Sequence, residues 1–248
     1  MRGTGGQARR ARRLPVVVAI AVVSLALLST VFPRPASAGT PGTLSFSGYT
    51  WIVKAGAHRM GPGPNYFAAS NAWVDDQGRL HLAITKSGSH WTVGEVYASH
   101  SLGYGTYTWV VDTRVDNLDP NMVLGLFTYA NARAYHHREI DVEASRWSNI
   151  FDHTNAQFVV QPSGRRGNLV RITEQPTLPA TFSFRWTATS LTFSASNASP
   201  TRWTYTGKNR PPAGGERADM NFWLSGGRAP AFGAGASVVI RSFTFTPA

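Results

Sequence analysis

Thr106-Tyr107-Thr108-Trp109-Val110-Val111-Asp112-Thr113-Arg114-Val115 puts Tyr107, Trp109, Val111 and Val115 on one face of an extended chain. Thr106, Thr108, Asp112 and Arg114 take the other face. Side chains on a strand point alternately to opposite sides, so an apolar–polar alternation of period two predicts a half-buried strand. The same period recurs along the chain. In Arg79–Lys86, Leu80, Leu82 and Ile84 alternate with Arg79, His81 and Thr85; Phe182, Phe184 and Trp186 alternate with Thr181, Ser183 and Arg185. Near the C-terminus Val239, Phe243 and Phe245 alternate with Val238, Ile240 and Thr244, so both faces carry apolar residues. Asn155–Val160, Asn168–Thr173 and Leu191–Ser194 read as further short strands.

Turn clusters separate these runs: Asp75-Asp76-Gln77-Gly78, Gly103-Tyr104-Gly105, Pro162-Ser163-Gly164 and Gly226-Gly227. Glycine supplies backbone angles other residues avoid, and Asp and Ser bond their own backbone. No 12-residue window after residue 38 holds a helical period. Many short strands over about 200 residues predict an all-β fold, a sandwich of two antiparallel sheets. Hydrophobic residues are 42% of the 248 and charged ones 15%, enough for a core and too little charge for a disordered chain. With no cysteine, disulfides, Cys-zinc sites and a Cys nucleophile are excluded.

The formal charge of +11 is concentrated at the start of the chain. Residues 1–38 hold six Arg and no acid, and five of those Arg fall in the first 13 residues. The apolar run Val16–Leu28 and Ala36-Ser37-Ala38 follow. A basic start, an apolar stretch and an A-x-A site predict a secretory signal peptide over 1–38, cleaved after Ala38. A membrane anchor is the alternative, but no stop-transfer charge cluster follows the apolar run. The mature domain, 39–248, would keep 18 basic and 13 acidic groups, a net +5 that demands no nucleic-acid partner. The expectation is a secreted protein of bacterial type, monomeric and free of the membrane after cleavage.

Arg138-Glu139-Ile140-Asp141-Val142-Glu143 places three of the chain's 13 acids within five residues. The β-branched Ile140 and Val142 favour a strand, on which Glu139, Asp141 and Glu143 share one face. Cα atoms of Glu139 and Glu143 would lie roughly 13 Å apart. That spacing permits, for side chains leaning together, the separation of about 5–5.5 Å that a retaining glycosidase requires. Mutual repulsion would raise the proton affinity of at least one carboxyl, as a general acid near neutral pH needs. Three readings fit the triplet: acid–base and nucleophilic catalysis, a solvated polar face, or a calcium site. Aromatic residues around it, Tyr129, Tyr135 and Trp147, with Trp91, Trp203 and Trp223 further off, would suit stacking on sugar rings and core packing equally.

Glu139-Ile140-Asp141-Val142-Glu143 resembles the Glu-x-Asp-x-Glu motif of glycoside hydrolase family 16, the lichenases, laminarinases and xyloglucan endotransglycosylases. Other segments resemble family strands in the same order: Gly103-Tyr104-Gly105-Thr106-Tyr107, Asn155-Ala156-Gln157-Phe158, Phe184-Arg185-Trp186 and Met220-Asn221-Phe222-Trp223-Leu224. The resemblance runs from about Thr43 to Pro247. It implies a β-jelly roll of two curved antiparallel sheets with a substrate groove on the concave face. It further implies that Glu139 is the nucleophile, Glu143 the general acid/base and Asp141 the residue that tunes the pair. Glu95, Trp147, Asn155, Gln157, Asn221 and Trp223 are the implied substrate contacts. The implied partner is a polysaccharide of the β-glucan type, with no cofactor; a structural calcium cannot be read from the residues. Tyr97-Ala98 stands where lichenases carry Tyr-Arg, and Ala144 where they carry Phe, so the resemblance leaves glycan and linkage open. His136 and His137, just before the motif, fit either a substrate contact or a solvated position, and the solvated reading is the expectation. A transglycosylase and a non-catalytic lectin-like module are the alternatives on the same fold.

Overall fold

In the computed structural model, which describes Met1, Gly3 and residues 42–248, nearly every regular element is a β-strand. The expected signal peptide lies outside the described residues. Two layers result. One sheet runs in the spatial order Thr43–Phe46, Tyr49–Val53, His90–Ala98, Arg217–Leu224, Met122–Tyr129, Ile140–Ala144, Ala156–Val160 and Leu169–Glu174, every neighbouring pair antiparallel. The other runs Ala72–Val74, Leu80–Ser87, Ala236–Pro247, Gly105–Val111, Ala180–Trp186, Leu191–Ala195 and Arg202–Thr204. The hairpin of Thr85–Ser87 with His90–Thr92 joins the two, so the sheets form a nearly closed, curved β-sandwich of the jelly-roll type.

The alternation read from the sequence sets which face is buried. Tyr107, Trp109 and Val111 are fully buried, as are Leu80, Leu82, Ile84, Phe184 and Trp186, while Phe182 is 1% exposed. Rings from the two sheets meet between them: Trp51 and Phe243 lie 5.2 Å apart at 84°, and Phe158 and Phe193 lie 5.1 Å apart at 24°. Fully burying one such side chain stabilises the fold by about 1.5–3 kcal/mol, so these layers supply much of the driving force.

Three local readings are refined by the structure. The strand quoted first ends at Val111, yet Val115 remains buried beyond it. His81 is buried rather than open, stacked on Trp73 at 4.8 Å and bonded to Asp75 Oδ2 at 2.8 Å. At the C-terminal strand, a register shift between Ile240 and Ser242 explains the apolar residues on both parities. Val238 and Ile240 point inward before the bulge and Phe243 after it, because one extra residue flips the alternation.

Candidate active site

The strand Ile140–Ala144 sits near the middle of the first sheet, between Met122–Tyr129 and Ala156–Val160. Ile140 and Val142 point into the core, fully buried and 1% exposed. Glu139, Asp141 and Glu143 therefore face outward together, and all three line a groove of about 860 Å³ on the outer side of this sheet. Glu139 lies just before the strand, in extended backbone, and its carbonyl accepts a hydrogen bond from Gln161 N at 3.2 Å.

Cross-strand register lays a row of polar groups across the groove floor. Glu143 opposes Gln157 on one side and Gly125 on the other; Gln157 opposes Arg171, and Gly125 opposes Asn221, which opposes Glu95. The side chains connect along that row. Arg171 Nη1 donates to Gln157 Oε1 at 3.0 Å, and Gln157 Nε2 donates to Glu143 Oε2 at 2.7 Å. Arg171 is itself held by Asp152 at 3.0 Å. At the other end Asn221 Nδ2 donates to Glu95 Oε2 at 3.2 Å, and Lys54 Nζ sits 2.6 Å from Glu95 Oε1. Gly125 keeps the middle open: a Cβ there would come within 2.4 Å of Asn221 Oδ1.

Burial dominates the electrostatics. It raises Glu139 to about 7, reinforced by the negative charge of Glu143 and opposed by a hydrogen bond from Asp141. Burial also raises Glu143 to about 7, against the pull of Gln157 and the Arg171 guanidinium. Asp141 is pushed well up by burial and by both glutamates, while Gln161 Nε2 donates to its Oδ2 at 3.0 Å. The interaction between the two pulls Glu139 down and pushes Asp141 up. Like charges this close cannot all ionise in a poorly solvated site.

The structure separates the expected substrate contacts. Glu95, Asn221 and Trp223 line the groove. Gln157 faces it and binds Glu143. Trp147 packs edge-on against Trp223, ring centroids 5.8 Å apart at 68°, and is not among the groove residues. Trp147 and Ser148 adopt left-handed backbone, φ 52° and 64°, in the turn that sets this contact. Asn155 is not among the groove residues; its amide bonds the backbone of Asp116 and Glu174, tying a loop to a strand end. Trp203 stacks on Phe193 at 5.2 Å in the opposite sheet, away from the acids.

Other groove residues were not among the expected contacts. Lys54, Phe127, Arg217 and Asp219 all line it. Asp219 and Arg217 share the parity of Asn221 and Trp223 on one strand, a signal the sequence did carry. Arg171 left no such signal. His137, expected in solvent, also lines the groove, its ring flat on Tyr129 at 5.0 Å and 7°. It is carried by four consecutive left-handed residues, Tyr135–Arg138 at φ 54°, 50°, 62° and 54°. Each costs roughly 1–2 kcal/mol for an L-residue, a strain concentrated directly before Glu139. Among the described residues no three His, Cys, Asp or Glu are grouped so as to hold a metal ion.

No protein-family model and no curated protein matches the chain. Solved structures do. A Bacillus licheniformis β-glucanase is 17% identical with a TM-score of 0.63, covering 87% of this chain and all of that one. A β-1,3-1,4-glucanase (lichenase) derived from a mouse hindgut metagenome is 18% identical with a TM-score of 0.61, covering 80% of this chain and 93% of that one. A pseudo β-1,3-glucanase of Mycobacterium tuberculosis, an immunostimulatory antigen, is 16% identical with a TM-score of 0.61, over 80% and 91%. At such identities the similarity is one of architecture: the chain has the curved β-sandwich, jelly-roll fold that these solved glucanases share.

Proposed function

We propose that the chain is a secreted endo-acting glycoside hydrolase of family 16 that cleaves a β-glucan with retention of configuration. One observation carries the reading: Glu139, Asp141 and Glu143 stand on one face of one strand in an open groove, with both glutamates raised to about 7. A solvated polar face would leave its carboxyls near their ordinary values, and this one does not.

The hydrogen bonds support a division of labour. The Asp141 side chain pulls Glu139 back toward its anion, which suits a nucleophile. Glu143 accepts from Gln157 on one oxygen only, leaving the other free to hold a proton for the leaving oxygen. In the first step Glu139 attacks the anomeric carbon while Glu143 gives its proton to the departing sugar. In the second, water loses a proton to Glu143 and displaces Glu139 from the glycosyl ester, so two inversions yield retention. Trp223, in edge contact with Trp147, lines the groove where a sugar would lie, and Glu95 and Asn221 offer hydroxyl contacts. The active chain would begin at Gly39, which N-terminal sequencing of the exported product reads directly; a retained leader would count against export.

The test is a panel of barley mixed-linkage glucan, laminarin, xyloglucan and agarose, reading new reducing ends. Glu139→Gln and Glu143→Gln should each abolish hydrolysis while remaining folded. On an activated aryl glycoside, azide should rescue the Glu143 variant with retained product, because azide attacks the glycosyl-enzyme without needing a base. Rescue of the Glu139 variant should give inverted product. Undiminished activity in both variants would remove the catalytic reading, and affinity for glucan with no cleavage by the unaltered protein would make it a lectin.

A further inference from the structure

The groove holds a buried carboxyl that the steps above leave unused. Asp219 lies on Arg217–Leu224, opposite Tyr97 on one side and Phe127 on the other, and Phe127 in turn opposes Asp141. Asp219 thus stands two strands from Asp141, about 10 Å away at about 4.8 Å per strand. It is 5% exposed, lines the groove, and its Oδ1 has no hydrogen-bond partner. Two residues on, facing the same way, Asn221 Oδ1 is also buried and unpartnered.

The fold compensates Asp219 only in part, through the Lys54 charge and a backbone hydrogen bond from Met220. Lys54, whose charge reaches Asp219, is committed to Glu95 Oε1 at 2.6 Å and Gly61 O at 2.7 Å. Arg217 on the same face lies over the Tyr97 ring, 5.6 Å from its centroid. Among the described residues no ion pair reaches Asp219. Burial and the charges of Glu95 and Glu139 push the Asp219 carboxyl well above its ordinary range, against the pull of Lys54 and the Met220 backbone. A buried polar group without a partner destabilises a fold, so its place is explained by a ligand that completes it.

Building on the glucan reading, we propose that Asp219 is a sugar-binding residue for a unit beyond the one being cleaved, hydrogen-bonding a ring hydroxyl through its unpartnered Oδ1. A protonated carboxyl offers one donor and one acceptor, and a sugar hydroxyl is likewise both. An amino sugar fits less well: its ammonium would need Asp219 ionised beside Glu95, in a cluster where Lys54 is already placed.

The test uses a Glu143→Gln parent, which halts cleavage, titrated with a mixed-linkage β-glucan tetrasaccharide. Asp219→Leu removes the polarity and Asp219→Asn keeps donor and acceptor. With Leu, the melting temperature should rise and affinity should fall by about tenfold, as for one lost hydrogen bond. With Asn, affinity should stay within about threefold of the parent. Unchanged affinity in the Leu variant would overturn the proposal while leaving the glucan reading intact. A lower melting temperature or an unfolded Leu variant would assign Asp219 to the fold and overturn it equally. Tighter binding of a glucosamine tetramer than of the glucan would overturn the neutral-sugar assignment. A parent that binds no glucan oligosaccharide would sink the glucan reading and this proposal with it.

Discussion

Gly125→Ala adds one methyl to the groove floor, where Gly125 faces Glu143 on one strand and Asn221 on the other. Its new Cβ would lie 2.4 Å from Asn221 Oδ1, 3.4 Å from Asn221 Cγ and 3.5 Å from Phe127 Cδ1. The closest contact is roughly 1 Å short of a comfortable non-bonded separation. Asn221 cannot swing aside freely, since it is 2% exposed and its Nδ2 is tied to Glu95 Oε2. Breaking that bond to a carboxyl costs about 1.5–3 kcal/mol, and overpacking without breaking it costs about 1–3 kcal/mol. The reduced freedom of an unfolded chain bearing Ala returns only about 0.4–1 kcal/mol. A net destabilisation of about 2 kcal/mol is expected, a fall in melting temperature of about 4–8 °C for a domain this size. The methyl also displaces Asn221 and narrows the floor beside Glu143, so kcat/KM on glucan should drop with it. Calorimetry and reducing-end assays on the same sample read both effects. Gly164→Ala is the control: its Cβ would meet nothing within 4 Å, so it should leave the melting temperature level or slightly higher. A Gly125→Ala protein that melts within about 1 °C of the parent with unchanged kcat/KM would refute the close approach on which this reasoning rests.

Arg171→Gln removes the cation that pulls Glu143 down, so Glu143 should hold its proton to higher pH and the alkaline limb of kcat/KM should move upward. Arg171→Lys should bring the limb back toward its original position; a limb that stays put or moves down in the Gln variant would show that Arg171 only braces the loop. Glu174 is 3% exposed with both carboxyl oxygens unpartnered, and burial raises it from 4.5 to about 7. Below pH 4.5 folded and unfolded chains both keep this proton; as pH rises to about 7 the unfolded chain releases it first, so the native state loses stability across that window. Glu174→Gln should therefore melt higher than the parent at pH 8 and alike at pH 4, and an equal difference at both pH values would dismiss this account.

Much of this protein was legible in its residues because strand alternation is local. Ile140 and Val142 between three acids force those acids onto one face, whichever strands later lie beside them. The same logic buried Tyr107, Trp109 and Val111; it failed at His81, buried on the polar parity, and where a bulge after Ile240 reset the alternation. Parity also put Asp219 and Arg217 with Asn221 and Trp223, but nothing along the chain says that this face is the groove. That is decided by pairing between distant segments: Asn221 reaches Glu95 across 126 positions, and Lys54 reaches it across 41. The Arg171–Gln157–Glu143 connection likewise exists only because three strands stack in one register. Register between strands depends on how two sheets close over a shared core, a property of the whole chain. The sequence by itself determined which side chains share a face of each strand, and the tertiary structure alone decided which faces meet and which of their charges are buried together.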